Sequence, residues 1–188
     1  EQIYNATEGA GLIVDILINN AGLGQYGAFH TSGIEQELSQ VRVNCEAVVR
    51  VSRLFVPRMV ERRRGWVLIV ASTASFQPIP YLTTYAATKV FDRFFALGLA
   101  EEVARYGVKV TALCPGPTES EFFEISRGRT FERRVQATPE VAARGIQALA
   151  RGKRTIVPNV SGSATAFLVR FLPVRMITRT IEKIARPK

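Results

Sequence analysis

Three short apolar runs constrain this chain more than anything else in it: 12–19 (LIVDILIN), 66–71 (WVLIVA) and 108–114 (VKVTALC). Each is strand-length, and the first is β-branched with little alternation, the pattern of a strand in a parallel sheet covered on both faces. Parallel neighbours need crossovers of a dozen residues or more, and the intervals contain them. In the first, Leu38, Val41, Cys45, Val48, Val49 and Leu54 recur at helical spacing, which predicts a helix over about 34–64. Pro57 is expected to kink or split it near its end, and Gly65 to end it after the basic turn Arg62-Arg63-Arg64. A second helix is predicted over about 83–106, capped by Gly107. Pro115-Gly116-Pro117 then breaks the chain. Thr138-Pro139-Glu140 reads as a helix start with Thr as cap and Pro at the first helical position. That helix should end near Gly152, with a short fourth strand at 154–157. Strands alternating with helices predict an α/β fold with right-handed crossovers.

Composition narrows the function classes. With 188 residues, 47% hydrophobic and 22% charged, the chain has the size and balance of one folded domain. Two cysteines, Cys45 and Cys114, make neither a disulfide framework nor a structural zinc site, and no metal is expected. A single histidine, His30, argues against a Ser-His-Asp centre. No apolar run reaches the ~18 residues of a membrane span and no signal peptide opens the sequence, so a reduced, cytoplasmic setting is expected. The sequence opens on Glu1, within what reads as a helix end, which suggests a piece of something longer. The net charge of +9 is uneven: −4 over 1–50, +5 over 51–100, 0 over 101–150 and +8 over 151–188. Aromatic residues are not interleaved with the basic ones, so no nucleic acid is expected as a partner.

Open α/β sheets bind ligands beyond the carboxyl ends of their strands, and four features fall there or nearby. Asn19-Asn20-Ala21-Gly22 follows the first run, Asn44 lies inside the first long helix, and Ser72 follows the second run. Tyr85 and Lys89, at i and i+4, leave one face of the next helix. Alone, a Tyr-x-x-x-Lys pair means little, since chance supplies it at roughly 0.1 per chain. Its setting lifts it: Ser72 stands 13 residues upstream, Asn44 another 28, and Pro115-Gly116 follows the next strand. The plainer readings are a surface pair, a polar helix residue at Asn44 and a turn-capping Ser72.

NNAG at 19–22, the Asn of VRVNCEA, the Ser of IVASTAS, YAATK at 85–89 and PGPTES at 115–120 together resemble the short-chain dehydrogenase/reductase family, over nearly the whole chain and in its order. The resemblance implies a Rossmann-like doubly wound parallel sheet, one NAD(P)-binding domain over 1–188 present as its C-terminal part. It implies an NAD(P)-dependent oxidoreductase that interconverts a carbonyl and an alcohol, with NADP favoured over NAD. Tyr85 would be the acid/base, and a neighbouring ammonium, Lys89, would favour its phenolate against a free pKa of ~10. Lys89 would also bind the nicotinamide ribose. Ser72 would hold the substrate oxygen, and Asn44 would position a water linking the lysine to a proton relay. Asn20, Ala21, Gly22, Pro115, Gly116 and Thr118 would line the cofactor together with Tyr85 and Lys89. Residues 119–137, with Phe122, Phe123 and Phe131, resemble the family's substrate lid. CPGPTESEFF and GKRTIVPN resemble a bacterial branch with an extended C-terminal helix region.

The family's Gly-rich phosphate turn is not found: Gly22-Leu23-Gly24 and Gly27 lack its spacing. A missing βαβαβ half of roughly 70 to 80 residues is therefore expected, and the chain alone is expected to be inactive, with its first strand at a sheet edge. The alternative is a non-catalytic binding or scaffold protein derived from the family, but a scaffold needs none of Asn44, Ser72, Tyr85 and Lys89. A homo-oligomer is implied for the whole protein.

The tail, 160–188, is basic and amphipathic. Val174, Ile177, Ile181 and Ile184 share one helical face, and Arg175, Arg179, Lys183 and Arg186 the other. Such a helix packs on its domain with the basic face solvated, or lies on an anionic membrane. Peripheral membrane contact through 164–188 would suit a lipophilic substrate, and an anionic acyl carrier is the alternative partner for the same charge.

Overall fold

The structure, a computed structural model, describes residues 2–119, 122, 126 and 135–187. Its sheet has four parallel strands in the order β1-β2-β3-β4: β1 Ile16–Asn19, β2 Gly65–Val70, β3 Val108–Leu113 and β4 Thr155–Ile156. Ile18 pairs with Leu68, Leu68 with Thr111 and Leu113 with Ile156, so the carboxyl ends of all four strands lie on one side. Among the described residues the helices with assigned bounds are α1 Gln2–Ala6, α2 Ile34–Val41, α3 Ala47–Glu61, α4 Thr83–Ala104, α5 Thr138–Ala150, α6 Val160–Leu168 and α7 Val174–Ala185. The architecture is the α/β parallel sheet that the alternation predicts, and it is Rossmann-like as the resemblance implies.

The larger core lies under α3 and α4, where Phe55, Met59, Ala96, Ala100 and Val103 meet Leu17, Val67, Ile69, Val108 and Val110. On the opposite face α5 supplies Val141 and Leu149 against Leu68 and Leu113. Cover on both faces therefore holds for β2 and β3 but not for β1, whose Ile16 and Ile18 stay 53% and 47% exposed. The first strand is also shorter than its apolar run. At Val14 the backbone is taken by side chains instead: its N–H donates to Glu8 and its carbonyl accepts from Arg62, both at 3.0 Å.

The long first helix is interrupted, but not at Pro57, which sits inside an unbroken α3. Arg53, whose carbonyl the proline deprives of its donor, is an exposed residue, so water can serve that carbonyl. The break is a wider π turn at Arg42–Glu46. Gly65 does not end the helix either. The left-handed residue there is Arg63, with φ of 54°, while Gly65 opens β2, where a Cβ would stand 2.5 Å from Met59 Cγ. Gly107 does turn with φ of 75°, and a Cβ on it would stand 2.7 Å from the Arg63 carbonyl oxygen. Thr138 is the first residue of α5 rather than its cap; Ala137 precedes it, and the Thr138 hydroxyl donates to the Glu119 carbonyl.

Candidate active site

Beyond the carboxyl ends of the strands opens a cavity of about 1400 Å³. Asn20, Ala21 and Gly22 line it after β1, Ser72 after β2, and Pro115, Gly116 and Thr118 after β3. Tyr85 and Lys89 enter it from α4. Of the four expected catalytic residues, Asn44 alone is set behind the lining.

Asn44 is fully buried in the π turn. Its amide donates to the Leu23 carbonyl and to Thr88 Oγ1, and its oxygen accepts from the Leu23 N–H, each at 2.8 Å. A polar side chain at zero exposure must find such partners, and these fasten the loop after β1 to α4. Buried Gln40 repeats the device, accepting from the Gln25 N–H at 3.2 Å. Nothing in the sequence pattern singles out Gln40.

Ser72 is buried and caps the short turn Thr73–Phe76, its Oγ accepting from the Ala74 N–H at 3.1 Å. The plain reading of Ser72 thus holds together with its place in the cavity wall, because the hydroxyl keeps its own proton to donate. The Thr73 N–H donates to the Pro115 carbonyl at 2.8 Å, which ties the loops after β2 and β3 together.

Lys89 is buried, and its Nζ donates to the Val70 carbonyl at 2.8 Å and to Asp92 Oδ2 at 2.9 Å. Asp92, i+3 on the same helix, went unread in the sequence; the spacing was there, but its burial was not visible. Its side chain is 1% exposed, and Oδ1 has no hydrogen-bond partner among the described residues. Burial pushes the Asp92 carboxyl above its usual range, against the pull of the Lys89 charge. Cys45, next to Asn44, lies within the field of this pair: burial first, then the Asp92 charge, push its thiol up to about 11, with Lys89 opposing. Burial also lifts Cys114 to about 11, against the Ser75 hydroxyl. Both thiols are protonated at neutral pH, which argues against thiolate chemistry.

Gly22 passes close above this group. A Cβ there would stand 3.3 Å from Lys89 Nζ and 3.6 Å from Asn44 Oδ1, so bare backbone forms the floor of the cavity. At Gly24 a Cβ would overlap the Phe122 ring and stand 3.2 Å from the Tyr85 ring. Phe122 and Tyr85 lie with centroids 5.1 Å apart at 44°. Phe122 thus places the beginning of the 119–137 segment over the tyrosine, while Phe123 and Phe131 lie outside the described residues. The ends of the segment are tied: the Glu119 N–H donates to the Gln136 carbonyl and the Gln136 N–H to the Pro117 carbonyl, both at 2.9 Å.

The far wall is apolar and includes Val141 and Ile146 of α5 and Ile181 and Ile184 of α7. Two tyrosines anchor α7 there. Tyr26 Oη donates to the Ala185 carbonyl at 2.7 Å, and Tyr81 Oη to Glu182 Oε1 at 2.9 Å. Tyr81 adopts a left-handed φ of 65°, and its carbonyl accepts from the Gly27 N–H at 2.9 Å. The Tyr81 phenol, then Arg186, hold the Glu182 carboxyl below its usual range. The sequence marked the apolar face of this helix but not its place in the cavity wall.

The sequence profile of the family described as short chain dehydrogenase matches residues 1–129. The very-long-chain 3-oxoacyl-CoA reductase-B of Danio rerio is 30% identical over 181 residues, covering 92% of this chain and 56% of the relative. An NADP-dependent 3-hydroxy acid dehydrogenase of Salmonella typhi is 32% identical over 136 residues, 68% of this chain and 55% of the relative. The chain therefore spans a little over half the length of these curated relatives. Among solved structures, a short-chain dehydrogenase from Sphingobium yanoikuyae in complex with NADPH matches with a TM-score of 0.75 at 26% identity, covering 84% of this chain and 62% of that one.

Proposed function

The chain belongs to the short-chain dehydrogenase family, and on that premise we propose that its cavity serves an NAD(P)-dependent oxidoreductase that interconverts a carbonyl and an alcohol. One observation carries the reading: Ser72, Tyr85 and Lys89 meet the Asn20–Gly22 and Pro115–Gly116 loops on a single cavity at the strand ends. The bare floor at Gly22 suits a flat ligand lying against backbone. Asn20, Ala21, Gly22, Pro115, Gly116 and Thr118 would hold the nicotinamide dinucleotide, with Lys89 reaching a ribose hydroxyl. When bound, that cofactor supplies or accepts the hydride. NADP is the favoured form, supported by the NADPH in the Sphingobium structure and by the name of the Salmonella relative.

In reduction the Tyr85 phenol donates its proton to the substrate oxygen, and in oxidation the phenolate takes one from the alcohol. The Ser72 hydroxyl donates a hydrogen bond that holds the substrate oxygen beside Tyr85. Asn44 positions a water that links Lys89 to a proton relay, from a place fixed by its bonds to Leu23 and Thr88. Residues 119–137 act as the lid. The apolar wall supports a lipophilic carbonyl or alcohol, as does the long acyl chain in the name of the Danio rerio relative. Exposed Phe91 and Phe94 on α4 and Val49 on α3 support a homo-oligomer of the whole protein. Free Cys45 and Cys114 fit a cytoplasmic setting; among the described residues, no helix is long and apolar enough to cross a membrane.

The test is Tyr85→Phe in the whole protein, assayed with NADPH against a panel of aliphatic ketones and 3-oxoacyl thioesters. The change keeps the ring and removes the proton, so kcat should fall by about 10² to 10⁴-fold or more. Near-normal turnover would overturn the assignment.

A further inference from the structure

Between α6 and α7 the chain passes through the short turn Val169–Phe171 and Pro173, forming an elbow. Six large apolar side chains crowd it: Phe167, Leu168, Phe171, Leu172, Val174 and Met176, with exposures from 43% to 71%. Phe167 and Phe171 pack edge-on with centroids 5.2 Å apart, so the patch has internal order while facing solvent. A contiguous apolar surface of this kind marks an interaction site.

Its charge says what fits. Arg170 and Arg175 stand within the elbow, and Arg179 and Lys183 follow along α7. All four are exposed, and none makes an ion pair among the described residues. The one carboxylate of α7, Glu182, is already engaged by Tyr81 and Arg186. We propose that this elbow docks on an anionic lipid surface, its aromatic and aliphatic side chains entering the headgroup boundary and its four cations meeting lipid phosphates. An acidic soluble protein would answer the cations alone, whereas a lipid surface answers both the cations and the bare apolar side chains. From the elbow the apolar residues of α7 continue through buried Ile177 to Ile181 and Ile184 in the cavity wall. A lipophilic substrate leaving the bilayer would follow that face into the site. This last statement rests on the oxidoreductase reading; the docking does not.

The experiment is co-sedimentation of the whole protein, without cofactor or substrate, with vesicles of phosphatidylcholine alone or mixed with phosphatidylglycerol. The unaltered protein should bind the anionic vesicles and release as salt rises. Phe167→Ser with Phe171→Ser, and separately Arg170→Gln with Arg175→Gln and Arg179→Gln, should each weaken partitioning by about tenfold or more. All five positions are exposed, and a melting curve followed by circular dichroism checks each variant; either variant alone suffices should the other not fold. No binding by the unaltered protein overturns the proposal, as does equal binding by the variants. Loss of self-association or of acidic-carrier binding in the variants, with vesicle binding intact, also overturns it. Because catalysis plays no part in the assay, vesicle binding by a dead Tyr85→Phe protein separates this proposal from the proposed reaction.

Discussion

Lys89 shows how far residue spacing reaches. The i, i+4 relation to Tyr85 puts both side chains on one helical face, and both line the cavity. Ser72 was equally legible, because it follows directly on an apolar run whose end is sharp. Asp92 was not: the burial of its carboxyl against the lysine is set by the elements that pack on α4, which include α2, the π turn and the sheet. The same holds for Gln40 and for Phe122 over Gly24, which are contacts between segments distant in sequence. Asp92 gives a pH prediction. Its folded-state pKa lies above the ordinary carboxylate value, with burial the main cause, so folding favours its protonated form. Its contribution to stability is therefore full below the unfolded value of ~3.9 and is lost as pH rises through the raised folded value. Asp92→Asn keeps an acceptor for Lys89 but cannot titrate. In urea unfolding of both proteins, the wild type should gain on the variant as pH falls from 7 to 4. Parallel stability curves would show that Asp92 does not carry this titration.

Elements were legible where a periodic pattern met a clear stop, and misread where the stop depended on tertiary contact. α4 ends within two residues of the predicted position because Gly107 supplies a left-handed turn that needs no partner. α3 ends instead on Arg63 in the left-handed region, and Gly65 is required by Met59 rather than by the turn. The break at Arg42–Glu46 left no mark in the sequence, because VRVNCEA has ordinary helical spacing and the π turn is stabilised by what Asn44 reaches. These two glycines should therefore respond differently to alanine. Gly65→Ala presses on the Met59 side chain, which can turn aside in a tight core at a cost of about 1–3 kcal/mol. Gly107→Ala meets a backbone carbonyl, and its left-handed φ adds about 1–2 kcal/mol. Urea unfolding should rank Gly107→Ala as the more damaging change. An alanine at 107 with unchanged midpoint would mean that the Arg63 turn moves aside freely.

For the whole molecule, the parallel order of the strands followed from the alternation of runs and helices, but the cover of each face did not. An apolar run looks the same whether one or both of its sides are packed, and β1 is packed on one only. Leu17 turns into the core, while Ile16 and Ile18 point away from it, and no strand pairs with the outer edge of β1 among the described residues. Leu12 and Ile13, just before the strand, are 60% and 66% exposed and lengthen the apolar strip. A flat edge with free backbone groups and bare isoleucines is a template for pairing with another copy. Residues 1–188 expressed alone should therefore associate through β1 and bind cofactor poorly. Ile16→Lys with Ile18→Lys should relieve the association, since both side chains leave the solvent side and Leu17 keeps its place. Sedimentation velocity over a range of concentrations reads the outcome. Large, concentration-dependent species should give way to a monomer in the double variant. A wild-type chain that stays monomeric at high concentration would overturn the prediction, and a double variant that associates as strongly would place the sticky surface elsewhere, the α6–α7 elbow being the next to test by the Phe167→Ser, Phe171→Ser pair.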